Sequence, residues 1–288
     1  MARRNIFETM SEQWDLEIET ERIDNLFSSV SVAYLDYTIS KSYFTLTKFV
    51  SKYCFDDWNN RGRCINIDDY LGAIKYDDVL CESNANHEDF LTLVEIVYNF
   101  WKMAEKSIAN WEELYATKNF FHLQKVLNDS LSHYNHKAVY DEKTEQLIVI
   151  EDKPEVTAVA EIVDPELSIS VMRYNHRTLR GELEKKKAIL NQMCQEIEPR
   201  RKELKNLNSK LEDNLFYLLN NLHIRHNNKD DNSKSYKAHV ANMNDDELES
   251  WYDEVYQMAL LAILELDQIE RNARCKTLRD EIQKMHGS

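Results

Sequence analysis

A chain of 288 residues with four glycines, three prolines and a formal charge of -15 is short of the residues that make tight turns and phosphate cradles. Average usage would place roughly 20 glycines and about 14 prolines in this length. Gly62, Gly72, Gly181 and Gly287 are too scattered for a dinucleotide fold or a P-loop, and a hairpin-rich all-β chain is excluded on the same ground.

What survives is an all-α chain, a mainly helical bundle with long helices. Residues 24–55 carry Leu26, Phe27, Val30, Val32, Leu35, Ile39, Phe44, Leu46 and Val50 at mostly helical steps, which predicts helix. The polar stretch 56–78 reads as a loop with a short helical turn near Ile67. Asn84 and Asn86 offer caps for a helix over 87–116, where Phe90, Leu93, Val94, Val97 and Trp101 keep the three-four rhythm. Another helix is expected over 118–132. The one β signal follows: Ala138-Val139-Tyr140, a polar turn, then Leu147-Ile148-Val149-Ile150, the pattern of a small hairpin near 138–150. A short helix is expected over 155–163.

Asp164-Pro165-Glu166 supplies a cap, a first-turn proline and an acid at the dipole's positive end. That helix is expected to reach about 198, with Pro199 restarting it and a further helix ending near 220–223. Residues 227–242 read as loop. Asn244-Asp245-Asp246-Glu247 has capping-box spacing and opens a final helix to about 284. Trp251, Val255, Met258, Leu261, Leu264 and Ile269 mark its buried stripe. Residues 185–208 lack the three apolar heptads of a coiled coil. The organisation expected is an N-terminal helical region over 1–85 and a helical domain over 86–288, or one continuous domain.

Hydrophobic residues make up 43% and charged residues 30%, the balance of a folded chain. The longest apolar run, Met258 to Leu264, is far shorter than a membrane span needs, and no apolar segment follows the basic start, so no secretory signal is expected. Five cysteines without a Cys-x-x-Cys pair suit reduced thiols in a cytoplasm.

The charge is unevenly spread. Residues 165–230 hold 13 Lys/Arg and 9 Asp/Glu, an excess of four cations that leaves -19 elsewhere. The acidic total argues against nonspecific coating of DNA or RNA, while the basic island leaves room for a confined phosphate site. Within it Arg173, His176, Arg177 and Arg180 recur at three- and four-residue steps, as on one helix face. They read either as a solvated basic face or as phosphate contacts, since arginine matches phosphate in a fork. The second cluster is His223-Ile224-Arg225-His226-Asn227-Asn228, at a helix end before a polar loop. Basic residues there compensate the helix dipole, and two histidines beside an arginine also suit acid–base work near neutral pH.

The segment Asn220–Asn228, with a loop and a long terminal helix after it and a strand pair before it, resembles the HEPN superfamily of prokaryotic toxin and phage-defence proteins. The resemblance spans about the last 200 residues. It implies a helical fold, metal-independent cleavage of RNA with the ribose 2′-hydroxyl as nucleophile, and pairing of two copies as a homodimer. The family's arginine would steady the phosphate and its downstream histidine would transfer the proton. Arg225-His226 matches the arginine and its polar follower. Arg225 and His226 are the catalytic candidates, with His223, Asn227 and Asn228 in support and Arg173, His176, Arg177 and Arg180 as RNA contacts. Catalytic members carry a histidine four to six residues after the arginine pair. Here positions 230–232 are Asp, Asp and Asn, whereas Arg279 and His286 satisfy the spacing at the far end. This departure motivates a rival of another class, a catalytically inactive helical module that assembles with a protein partner. A third reading is nucleotide binding without cleavage.

No cofactor motif is present. His133/His136 and His223/His226 each place two histidines three apart, a metal pair if helical, without a further ligand at motif spacing. His87-Glu88 begins like a zincin motif but has Leu91 where the second histidine belongs.

Overall fold

The computed structural model describes residues 14–35, 41–76 and 86–286, with residues 285 and 286 described by their backbone alone. The chain divides into two units, Met1–Glu151 and Asp152–Ser288, each with its own hydrophobic core. The division falls after the hairpin and not at 85/86, because the helix that begins at His87 is the centre of the first core.

The first unit mixes helices with two small antiparallel sheets. Helix α1 (Leu16–Phe27) is capped by the Asp15 carboxylate, which accepts from Glu17 N at 2.9 Å. Strands β1 (Val30–Leu35) and β2 (Lys41–Thr45) follow, then α2 (Leu46–Tyr53), capped by Thr45. The continuous helix expected over 24–55 is therefore corrected. Val30 and Val32 are β-branched at alternate positions, stiff at χ1 and suited to a pleated surface, and Val32 faces Phe44 across the ladder. Ile39, also placed in that helix, lies outside the described residues.

Helix α3 (Ile67–Ala73) supplies the expected turn, with Asn66 accepting from Asp69 N. Helix α4 (His87–Asn110) buries Phe90, Leu93, Val94, Val97 and Trp101, the stripe expected of it. It ends six residues early: Trp111 is extended, and β3 (Leu114–Ala116) joins β1 to make a sheet of order β2-β1-β3. Helix α5 (Lys118–His133) leads to β4 (His136–Asp141) and β5 (Gln146–Glu151), the expected hairpin in register Tyr140↔Leu147. Its turn is held by the Asp141 carboxylate, which accepts from Lys143 N, Thr144 N and the Thr144 hydroxyl. Two polar side chains of α4 satisfy the backbone of β5. Asn99 donates to and accepts from Leu147 at 2.8 and 2.9 Å, and Glu95 accepts from Val149 N at 2.7 Å.

The second unit is helical: α6 (Pro154–Ala160), α7 (Pro165–Arg173), α8 (Leu183–Ile197), α9 (Arg201–Leu207), α10 (Ser209–Asn221), α11 (Ala238–Ala241) and α12 (Asp245–His286). Asp164 and Asn244 cap α7 and α12 as expected, accepting from Glu166 N and Glu247 N. The single helix expected from 165 to 198 is broken. After Arg173 the chain makes one 3-10 turn, Arg177–Leu179, and Gly181 takes φ +77°, a conformation that suits glycine. Gly181 N donates to both carboxylate oxygens of Glu249 at 3.0 Å, fixing the break against α12. The break also lets buried Tyr174 stack on Tyr256, ring centroids 3.9 Å apart.

The described residues are thus mainly helical with two small sheets, one more than the hairpin expected. No described helix is long and apolar enough to cross a membrane.

Candidate functional site

After α10 the chain enters a tight loop in which apolar and polar side chains alternate. Leu222 and Ile224 are buried in the second core, leaving His223 and Arg225 half-buried and His226 exposed. His223 has φ +61°, which breaks the helix and aims the backbone of 223–225 back at it, so that Arg225 N donates to Leu219 O at 3.0 Å.

Asn228 is the residue that holds this loop. It is fully buried. Its side chain accepts from His223 N and donates to Ser235 O, both at 2.7 Å, while its backbone donates to His223 Nδ1 and accepts from Lys237 N. Asn191 of α8 adds a bond to Ile224 O at 3.0 Å. Burial, and then the nearby Lys187 ammonium, push the His223 imidazole below its ordinary range. The neutral ring is also the one whose Nδ1 can accept from Asn228. Asn227 is exposed and donates only to Asp230.

Arg225 faces α8. One guanidinium nitrogen, Nη2, donates to both oxygens of Glu198, at 2.9 and 3.1 Å. Glu198 in turn is one wall of a groove of about 470 Å³ lined by Pro199, Arg201, Lys202, Lys205 and Glu212. The Glu212 carboxylate is buried and paired with Arg201 and Lys205, and Arg201 lies over the Phe216 ring at 4.1 Å. The groove therefore carries three cations, two of them engaged by one buried carboxylate, with Arg225 tethered at its edge.

Arg201, Lys202 and Lys205 were not singled out as site residues in the sequence. Their signal is the four-residue step between Arg201 and Lys205, which puts both on one helix face; it lies inside the charged run 185–208, where many such steps occur.

The face expected of Arg173, His176, Arg177 and Arg180 is corrected. The helix stops at Arg173, so the four residues lie on an α-helix end, a 3-10 turn and an extended residue. His176 is buried; its Nδ1 is 2.7 Å from the Thr178 hydroxyl, and Arg177 approaches its Nε2 at 3.3 Å. His176 thus shapes the turn.

Neither histidine pair is helical. His133 closes α5 and stacks on Trp14, whereas His136 opens β4 with Nδ1 on Tyr134 O at 2.6 Å. His223 and His226 lie in the loop. Among the described residues no three His, Cys, Asp or Glu side chains converge as a metal site. Trp101 is core and donates to Phe120 O, while Trp111 and Trp251 are exposed. Arg279 is exposed on α12.

No protein-family model, curated protein or solved structure matches this chain.

Proposed function

We propose that the second unit acts on RNA as a HEPN-like phage-defence or toxin protein, a metal-independent ribonuclease using Arg225 and His226. The observation that carries this reading is the tether of Arg225 to Glu198 at the edge of a groove bearing Arg201, Lys202 and Lys205. A phosphate entering the groove meets cations and competes with Glu198 for the Arg225 fork. In the cleavage step the ribose 2′-oxygen attacks the adjacent phosphorus and the 5′-oxygen leaves. His226, exposed beside Arg225, exchanges the proton, and Arg225 steadies the charge on the phosphoryl oxygens. His223 and Asn228 contribute by fixing the loop. Two copies pairing through their Arg225 segments would supply two such sets, as the family resemblance implies.

The test is cleavage of single-stranded RNA in the presence of a chelator by wild type, Arg225→Ala, His226→Ala and Glu198→Gln. Loss in the first two variants supports the assignment, and equal cleavage by all four overturns it.

A second reading is a catalytically inactive module that assembles with a protein partner. It is favoured by the internal use of the cluster's polar heads: Arg225 by Glu198 and His223 by Asn228. Mass measurement in solution with co-purification distinguishes the two. A stable complex without nuclease activity supports the module, and cleavage lost in Arg225→Ala excludes it.

A further inference from the structure

The far end of α12 belongs to neither reading. From 271 to 284 every residue is exposed, yet the helix there is not polar all round. Leu278 is 56% exposed and Ile282 47%, and Cys275 lies on the same stripe, at steps of three and four residues. That is the spacing of the seam by which one helix packs along another, with Cys275 and Ile282 at the a positions of a heptad and Arg271 and Leu278 at d.

The charges beside such a seam decide which partner it takes and in which direction. Arg274 and Glu281 line one side of it and Arg279 the other. The stretch holds five Lys/Arg and two Asp/Glu, so pairing with a like helix is repulsive unless acids and bases are matched. A second copy lying parallel sets Arg274 against Arg279 on both flanks. Lying antiparallel, it can be staggered along the seam by whole layers. One stagger sets Arg274 against Arg274, and another sets Glu281 against Glu281 and Arg279 against Arg279. The stagger between them puts Cys275 opposite Leu278 and Arg274 opposite Glu281, and two-fold symmetry makes that ion pair twice. Among the described residues neither Arg274 nor Glu281 has an ion pair, whereas Arg271 is held by Asp267 one turn back along the helix. The same stagger lays the apolar stem of Arg271 over Ile282 of the second copy and leaves its charged head with Asp267.

We propose that the end of α12 pairs antiparallel with the same helix of a second copy, centred between Cys275 and Leu278 and fixed in register by reciprocal Arg274–Glu281 ion pairs. The contact is shorter than a standard interface, so association is weak, with monomer at ~1 µM and dimer at ~200 µM. At micromolar protein the ends are free, so pairing is read by mass and not by thermal midpoint.

The test is sedimentation equilibrium of the full-length chain from ~1 to ~200 µM, the range that brackets weak pairing. It includes Arg274→Glu, Arg274→Glu/Glu281→Arg and Leu278→Glu, all at exposed positions outside both cores. Wild type is expected to pass from monomer to dimer. Arg274→Glu brings acids together and is expected to weaken the dimer about 10-fold. The double exchange restores wild-type affinity, and Leu278→Glu abolishes pairing. Arg225→Ala is expected to dimerise as wild type does, which separates this contact from any made by the Arg225 loop. A wild-type chain that stays monomeric across the range overturns the proposal. So does a dimer that Arg274→Glu leaves unchanged, one that it tightens (the mark of a parallel pair), or one that the double exchange does not restore. Dimers that survive Leu278→Glu or dissolve in Arg225→Ala overturn it as well.

Discussion

Asn228 shows how a residue with the profile of a site member can be architectural. Its two side-chain bonds and two backbone bonds close the loop over 223–237, and it is fully buried. Replacing it with alanine leaves His223 N and Ser235 O without these partners, and Asn228→Ala is expected to cost about 2–3 kcal/mol in urea unfolding. His223 makes a pH-dependent contribution. Its folded-state imidazole is held below the ordinary value of 6.5 by burial and by Lys187. The unfolded chain therefore takes up a proton first as pH falls through 6.5, and stability is lost from there down to the folded-state value. Above that window the group adds no slope. His223→Asn keeps an acceptor and tolerates the positive φ, so its thermal midpoint is expected to fall less than that of wild type between neutral pH and about pH 5. His87, lowered chiefly by burial and then by His136, sustains part of the slope in both. An identical pH profile in the variant would place the titration elsewhere.

At the level of elements, what could be read from the sequence was what local chemistry decides. The caps at Asp164 and Asn244, the hairpin at 138–150 and the apolar stripe of α4 are signals carried by adjacent residues, and each formed where expected. The misread elements needed a partner outside their own residues. β1 and β2 pair with each other, and β1 also with β3, some 80 residues away, so their apolar residues passed for a helix. The break after Arg173 is fixed by Glu249, equally remote in sequence, and with it went the arginine face. For the same reason the Glu198–Arg225 pair was invisible: α8 and the loop meet only in three dimensions. Lys186 anchors this packing, buried between Glu249 at 2.8 Å and Asp253 at 2.7 Å. Burial opposes ionisation of Glu249, but Lys186 and Gly181 N outweigh it and hold the carboxyl below its usual range. Lys186→Met removes the cation from a largely buried carboxylate and is expected to cost about 3 kcal/mol, measured by urea unfolding at neutral pH.

For the whole molecule, two cores without shared members imply two folding units. Fragments 1–151 and 152–288 are each expected to give a cooperative thermal transition; a fragment that stays unfolded would show that its core is insufficient alone. The far end of α12 contributes little to either, since residues 271–284 are all exposed. Deleting 271–288 should leave the thermal midpoint within about 2 °C of wild type. The charge of -15 is divided in the same spirit: within the basic island Arg201 and Lys205 meet Glu212 and Arg225 meets Glu198, so the cations stay close to carboxylates until a stronger anion arrives. The central claim, that this groove acts on RNA through Arg225 and His226, is tested most directly by RNA cleavage under chelating conditions with Arg225→Ala and Glu198→Gln beside wild type. The expected result is cleavage by wild type, none by Arg225→Ala, and tighter RNA binding by Glu198→Gln, whose arginine is released. Equal cleavage by all three, or no cleavage and no RNA binding by any of them, would contradict it.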